Sequence, residues 1–365
     1  MLTQYFKMPS TTVKTRQAVQ ACINQIDLYK QYVLKIQTSP DCYINNIRQL
    51  LSKLDTLWMV SGDESKQGQT NKLKTAWPLW FQNKVGSYEK PLFYFLHSNT
   101  ISTLLSLEVE TNRKGIFFNS ADKSNIELPK GVQAWFPLIL STMKNWLPFD
   151  PANAQETAAI MQQALKTIYL DGEQKMVYIA THEQASEFSP MTNSDIVDAY
   201  KGMYQISAPD KRYKNLVVRL CGAGKSLERV KKAAHLLKHH WDIECEVWSC
   251  PSYTRLAYDA EQLTYNRQQN VQNPLVKSHI ERCFGKEDWP VIAVTDYNYL
   301  IASQIKPFVT AKFTAIGSDP QIHGEASYPQ PEWIALCALK RLVEQQKLST
   351  DILENAIHLL GIENN

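Results

Sequence analysis

At 365 residues the chain exceeds the usual size of one domain, so two domains are expected. Its hydrophobic fraction of 44% is enough for real cores, and a formal net charge of +3 is too small to argue for nucleic acid. No apolar stretch approaches the length that spans a bilayer, and the N-terminus "MLTQYFKMPSTTVKTRQ" has no apolar run of the kind a secretory signal needs.

Residues 13–60 read as two helices. Apolar residues recur at three- and four-residue spacing in "AVQACINQIDLYKQYVLKI" and "YINNIRQLLSKLDTLWMV", with "SPDC" as the turn between them. A polar loop, "SGDESKQGQTNK", follows. "PLFYFLHS" and "KGIFFNS" are short aromatic-rich runs that suggest buried strands. "DPANAQETAAIMQQALKTIYL" is a helix, with Asp150 placed to cap it, Pro151 suited to its first turn, and Ala158, Met161, Leu165 and Ile168 on one face. "KMVYIATHE" reads as a strand, and the polar segment 184–195 as a linker. Beyond it strands and helices alternate: strand 215–220, helix 226–239, strand 243–249, helices 251–259 and 275–283, strand 290–295, helix 297–306, strand 312–317, helices 331–346 and 350–359. That alternation argues for an open α/β sheet covered on both faces.

The stretch "VVRLCGAGKS" has the look of a phosphate-binding loop, but the G-x-x-x-x-G-K-S form needs a glycine where Arg219 stands. The dinucleotide form G-x-G-x-x-G accepts Gly222 and Gly224 but meets Leu227 at its third position. The two glycines therefore read as a tight strand-to-helix turn. Basic residues cluster at Lys211–Lys214 and Lys231–His240, the latter on a helix whose solvated face they suit. His235 and His239 lie four apart there, a metal-capable spacing, but no third ligand follows and the sequence is not H-E-x-x-H. Seven cysteines, Cys22, Cys42, Cys221, Cys245, Cys250, Cys283 and Cys337, include no C-x-x-C pair and read as reduced, buried thiols of a cytoplasmic protein. Cys250, at a strand end before Pro251, reads as a buried structural thiol for want of a basic partner. No G-x-S-x-G serine-hydrolase elbow occurs. The aromatic segments Trp77–Phe81 and Trp135–Phe136 read as core.

Taken in order, "VVRLCGAGKSLERVKKAAHLLKHHWDIECEVWSCPSYTRLAYDAE", "PVIAVTDYNYLIASQIKPFV" and "FTAIGSDP" resemble the C-terminal domain of the homodimeric type of pyruvate dehydrogenase E1, in the transketolase-like superfamily. Upstream, "DPANAQETAAIMQQALKTIYLDGEQKMVYIATHEQ" is similar to the last helix and strand of that family's pyrimidine-binding domain, so the likeness covers about residues 148–360. Its structural motif falls on Gly222, Gly224, Thr295, Asp296, Tyr297, Gly317 and Asp319. The resemblance implies a divergent, reduced pyrimidine-type α/β domain over residues 1–190, with a helical N-terminal segment. A transketolase C-terminal-like open sheet with helices on both faces is implied over 191–365.

The family decarboxylates pyruvate on thiamine diphosphate with Mg²⁺ and passes the acetyl group to a lipoyl arm of E2. The diphosphate domain's G-D-G marker does not occur in these 365 residues; Gly62-Asp63-Glu64 has no matching tail. Where the family opens a histidine-rich loop with Gly-Leu-Gln-His, this chain reads Gly131-Val132-Gln133-Ala134, and alanine can neither move a proton nor donate a hydrogen bond. Glu108 and Glu110 are acidic, but their surroundings do not match those of the family's activating glutamate. The stretch after Asp319 is shorter than the family's glycine-rich one. The expectation is that the isolated chain has no catalytic residues and takes no cofactor or metal. It would form a homodimer, with E1 or E2 subunits of a 2-oxoacid dehydrogenase complex as further partners and neither nucleic acid nor membrane. Three readings stay open: a non-catalytic E1-like binding protein, an active half of a split E1, or a small-molecule binder with its ligand at the strand carboxyl ends.

Overall fold

The structure is a computed structural model. It describes residues 11–61, 76, 88–96, 100–111, 113–120, 134–210, 216–269, 276–318 and 328–362. The polar loop after Ser61, Trp77–Phe81, Gly131–Gln133, Lys211–Lys214, Asp319 and the shortened stretch after it lie outside the described residues. The chain divides into two compact units. The first comprises residues 1–123, 143–149 and 153–191, and the second 124–142, 150–152 and 192–365. The second unit thus takes two short segments from within residues 1–190.

In the first unit, α1 (Val13–Ile36) and α2 (Pro40–Leu51) pack against each other. Ser39 caps α2 by accepting from the Cys42 N–H at 3.2 Å, and Pro40 supplies its first residue. The "SPDC" turn is therefore the start of this helix. The tail of the same apolar pattern is not helical: Trp58–Ser61 is strand β1. The Trp58 N–H donates to Pro91 at 2.8 Å, and β1 pairs in parallel with β2 (Leu92–Leu96). Next come α3 (Ile101–Glu110) and β3 (Gly115–Asn119). A short helix, α4 (Phe136–Ser141), belongs to the second unit; β4 (Trp146–Phe149) returns to the first. Helix α5 (Ala154–Leu165) and β5 (Met176–Ala180) complete it.

The sheet order is β1-β2-β3-β5-β4, with all pairings parallel. Strands β2, β3, β4 and β5 are buried throughout, which is why β2, β3 and β5 read as short apolar runs; β4 was not foreseen. Helix α5 starts later than expected. Asn153 caps it, its Oδ1 accepting from Glu156 N–H at 3.0 Å, and a π-turn over Lys166–Leu170 extends it. Ala158, Met161, Leu165 and Ile168 are fully buried, but so is nearly every other residue of α5.

The second unit runs α6 (Asn193–Lys201), β6 (Tyr204–Ser207), β7 (Val217–Gly222), α7 (Ser226–Trp241), β8 (Glu244–Ser249), α8 (Tyr253–Gln269) and α9 (His279–Phe284). It continues with β9 (Val291–Val294), α10 (Tyr299–Ser303), β10 (Phe313–Ile316), α11 (Pro331–Glu344) and α12 (Asp351–Leu359). The order is β10-β9-β7-β8-β6, parallel except that β6 runs antiparallel at the edge. One face packs on Leu227, Val230, Leu237, Ile334, Leu339 and Leu342 from α7 and α11; the other packs on Tyr253, Leu256, Ile280 and Ile301 from α8, α9 and α10. This is an open α/β sheet covered on both faces. No helix among the described residues is long and apolar enough to cross a membrane.

Candidate functional site

Parallel strands deliver their carboxyl ends to one edge of a sheet, and the turns that follow β7, β9 and β10 lie side by side there. Gly222 ends β7 and is held against α7: a Cβ on it would come within 2.8 Å of the Leu227 Cα. Gly224 has φ +53°, and a Cβ there would lie 2.4 Å from the Asp150 carboxylate. Gly224 N–H donates to the Asp150 carbonyl at 2.9 Å, and Asp150 N–H to the Pro251 carbonyl at 2.7 Å. Asp150 thus tethers the ends of β7 and β8 instead of capping α5. Ser226 closes the turn, its hydroxyl donating to Ala223 O at 2.7 Å and lying 3.0 Å from Val294 O, while Ala223 N–H points at that hydroxyl. The turn's glycines serve close packing.

Thr295, Asp296 and Tyr297 leave β9 fully or nearly fully buried. The Thr295 hydroxyl accepts from Tyr297 N–H at 3.1 Å, and Thr295 N–H donates to Ile316 at 3.0 Å. The Tyr297 ring belongs to the core beneath α8 and α10. Gly317 follows β10, and its neighbour Ser318 donates its hydroxyl to the Asp296 carbonyl and its N–H to the Tyr297 carbonyl at 3.1 Å. Asp319 lies outside the described residues. The Asp296 carboxylate is paired with Arg229 from the second turn of α7. Arg229 and Lys225 both lie 5.0 Å over the Tyr328 ring, and Lys225 Nζ is 3.1 Å from the Tyr328 hydroxyl. Sequence reasoning missed Arg229, Ser318 and Tyr328, and gave Asp150 the role of a helix cap. Arg229 and Asp296 are 67 residues apart, so no local period joins them.

The expectation of buried thiols holds for Cys22, Cys221 and Cys250, whereas Cys245, Cys283 and Cys337 are half-buried and Cys42 is exposed. Cys250 is wholly buried, and burial pushes its thiol well above the ordinary range, with Cys221 beside it adding to the shift. Burial likewise pushes Cys245 and Cys283 up to about 12. His279, buried beside Cys283, has its pKa lowered by burial, and its Nε2–H is spent on the Met203 carbonyl at 2.9 Å. Trp135 is 45% exposed and Phe136 only 3%, so just the second of that pair joins the core. His235 and His239 are exposed on α7.

Residues 202–320 match the family described as the transketolase-like TK C-terminal domain. This segment of the second unit is a transketolase-like C-terminal domain. Over its C-terminal part the chain is similar to the pyruvate dehydrogenase E1 component of Cupriavidus necator, 29% identical over 233 residues, covering 62% of this chain and 26% of that protein. The corresponding protein of Pseudomonas aeruginosa is 29% identical over 235 residues, with the same shares. The match spans about a quarter of the length of these relatives. Among solved structures, a split-gene transketolase, described as an inactive β4 tetramer, superposes with a TM-score of 0.54 at 14% identity, covering 84% of this chain and 98% of that one. Transketolase from Leishmania mexicana gives 0.51 at 16% identity, covering 90% and 46%. These likenesses extend the shared fold beyond the transketolase-like C-terminal domain into the first unit.

Ala134 offers a methyl group, and its carbonyl already accepts from Asn298 N–H at 3.0 Å. Glu110 is buried, accepting from Ala76 N–H at 2.5 Å and Tyr94 hydroxyl at 3.2 Å, and Glu108 faces Arg113 at 3.5 Å. Among the described residues no group of three or more His, Cys, Asp or Glu side chains is placed to hold a metal.

Proposed function

We propose that this chain is a pyruvate dehydrogenase E1-like protein that does not catalyse on its own and acts by binding protein partners. The observation that carries this reading is how the signature side chains are used. At the carboxyl edge of the second sheet Asp296 pairs with Arg229 through one carboxylate oxygen, Ser318 bonds Asp296 and Tyr297, and Ser226 bonds Val294. These contacts build the scaffold, while the other Asp296 oxygen is buried with no hydrogen-bond partner among the described residues. Ala134, standing where the family has a histidine, agrees with it. Calorimetric titration of the chain with thiamine diphosphate and Mg²⁺ together is expected to give no saturable heat; micromolar binding would reject the reading. The reading places the protein in the cytoplasm, where its free thiols stay reduced.

A second reading is favoured by one observation, the 98% coverage of the split-gene transketolase chain. On that reading the chain is one half of a split E1, and mixing it with a chain bearing the diphosphate motif would restore pyruvate decarboxylation. Both readings predict self-association, since the E1 type that the sequence resembles is homodimeric. A symmetric homodimer using one patch twice is expected. Light scattering should return twice the 41.8 kDa chain mass at micromolar concentration; a monomer mass there would reject the homodimer and shift weight to a heteromeric partner.

A further inference from the structure

The paired imidazoles on α7 serve neither the core nor the turn network. Helix α7 is unbroken from Ser226 to Trp241 and buries Leu227, Val230, Ala233 and Leu237, which leaves His235 and His239 exposed one turn apart. Helical side chains at i and i+4 share a face, with their Cβ atoms roughly 5–6 Å apart. That separation lets two imidazoles reach one ion, and imidazole is the commonest protein ligand for late first-row metals.

Three features of the surroundings favour a cation there. The pair lies in the C-terminal half of α7, where the aligned peptide dipoles favour positive charge. The nearest lysines are largely neutralised: Lys238 Nζ sits 2.5 Å from Asp242 and 2.6 Å from Glu244, and Lys231 Nζ 2.7 Å from Glu228. Lys232, also on this helix, is exposed. The His239 ring is further steadied by His240, whose centroid lies 4.8 Å away at 75°. Among the described residues no third protein ligand joins the pair, so water would complete the shell rather than a closed four-ligand zinc site.

We propose that His235 and His239 form a bidentate surface site for a late divalent transition metal. Copper(II) is held most tightly, following the usual order of affinities for nitrogen ligands. This property is independent of the E1-like reading.

The test is titration of the untagged full chain with copper(II) chloride, followed by calorimetry and by the electron paramagnetic resonance of nitrogen-ligated copper. One copper per chain is expected at micromolar concentration. His235→Ala and His239→Ala are each expected to weaken it by about tenfold or more, while His358→Ala, on α12, leaves it unchanged. Alanine favours the helix at exposed positions, so circular dichroism should be unaltered and any loss read as a lost ligand. No saturable binding by the native chain would overturn the proposal. So would undiminished affinity in the double variant H235A/H239A, which would place the copper elsewhere.

Discussion

Arg219→Ala is expected to cost about 3–5 kcal/mol of folding stability, because it strands a buried carboxylate. Arg219 sits in mid-β7, its side chain 3% exposed, and its Nε lies 2.5 Å from Glu246 on β8, whose side chain is 10% exposed. Its two terminal nitrogens donate to the Glu287 carbonyl at 3.0 Å and the Phe284 carbonyl at 2.5 Å. The guanidinium plane lies 4.9 Å over Phe284 and 5.0 Å over Trp289. Truncation therefore removes the ion pair, two carbonyl contacts and the packing of the stem at once. Replacing both partners, as in R219M/E246L, removes the desolvated charges together and should recover most of the loss. Equilibrium urea denaturation of the three proteins measures this. A loss below about 1 kcal/mol in Arg219→Ala would mean that Glu246 is not left in a dry site.

Gly224→Ala is expected to cost about 2–5 kcal/mol. A left-handed backbone at φ +53° charges any L-residue about 1–2 kcal/mol. The Asp150 carboxylate, 2.4 Å from where the Cβ would stand, must also move, at about 1–3 kcal/mol for an overpacked site. Asp150 is not free to swing as a unit, since its backbone is bonded to Gly224 and to Pro251. Gly361→Ala makes the comparison. That glycine has φ +63° with nothing within 4 Å of an added Cβ, so only the backbone cost of about 1–2 kcal/mol should appear. Equal losses in the two variants would show that Asp150 does not crowd the turn.

Much of the second unit was legible from local pattern. The strands β7, β8, β9 and β10 are short apolar runs between helical periods, and each lies within a few residues of its expected span. Of the residues the resemblance singled out, Gly222, Gly224, Thr295, Asp296, Tyr297 and Gly317 lie together at one sheet edge, a placement the sequence had not foreseen. Local pattern failed where a partner far along the chain decided the outcome. "TLWMV" has apolar spacing that suits a helix, yet Trp58–Ser61 pairs with Leu92–Phe95 and becomes a strand. Strand β6 shows one buried residue and three exposed ones, and it is a strand because β8 offers it an open edge. Helix α6 was hidden in a polar segment, although Thr192 and Asp195 form a capping box there.

The sequence by itself therefore determined the alternation of strands and helices, the glycine turn after β7, and the absence of histidine at position 134. Each rests on residues close together in the chain, where φ preference, side-chain chemistry and period act directly. Tertiary structure alone decided that Asp150 braces Gly224, that Arg229 is the partner of Asp296, and that Arg219 is buried on Glu246. Those pairings join residues tens of positions apart. They depend on which strands lie adjacent in the sheet, a choice set by burial of the whole apolar surface and by no local signal.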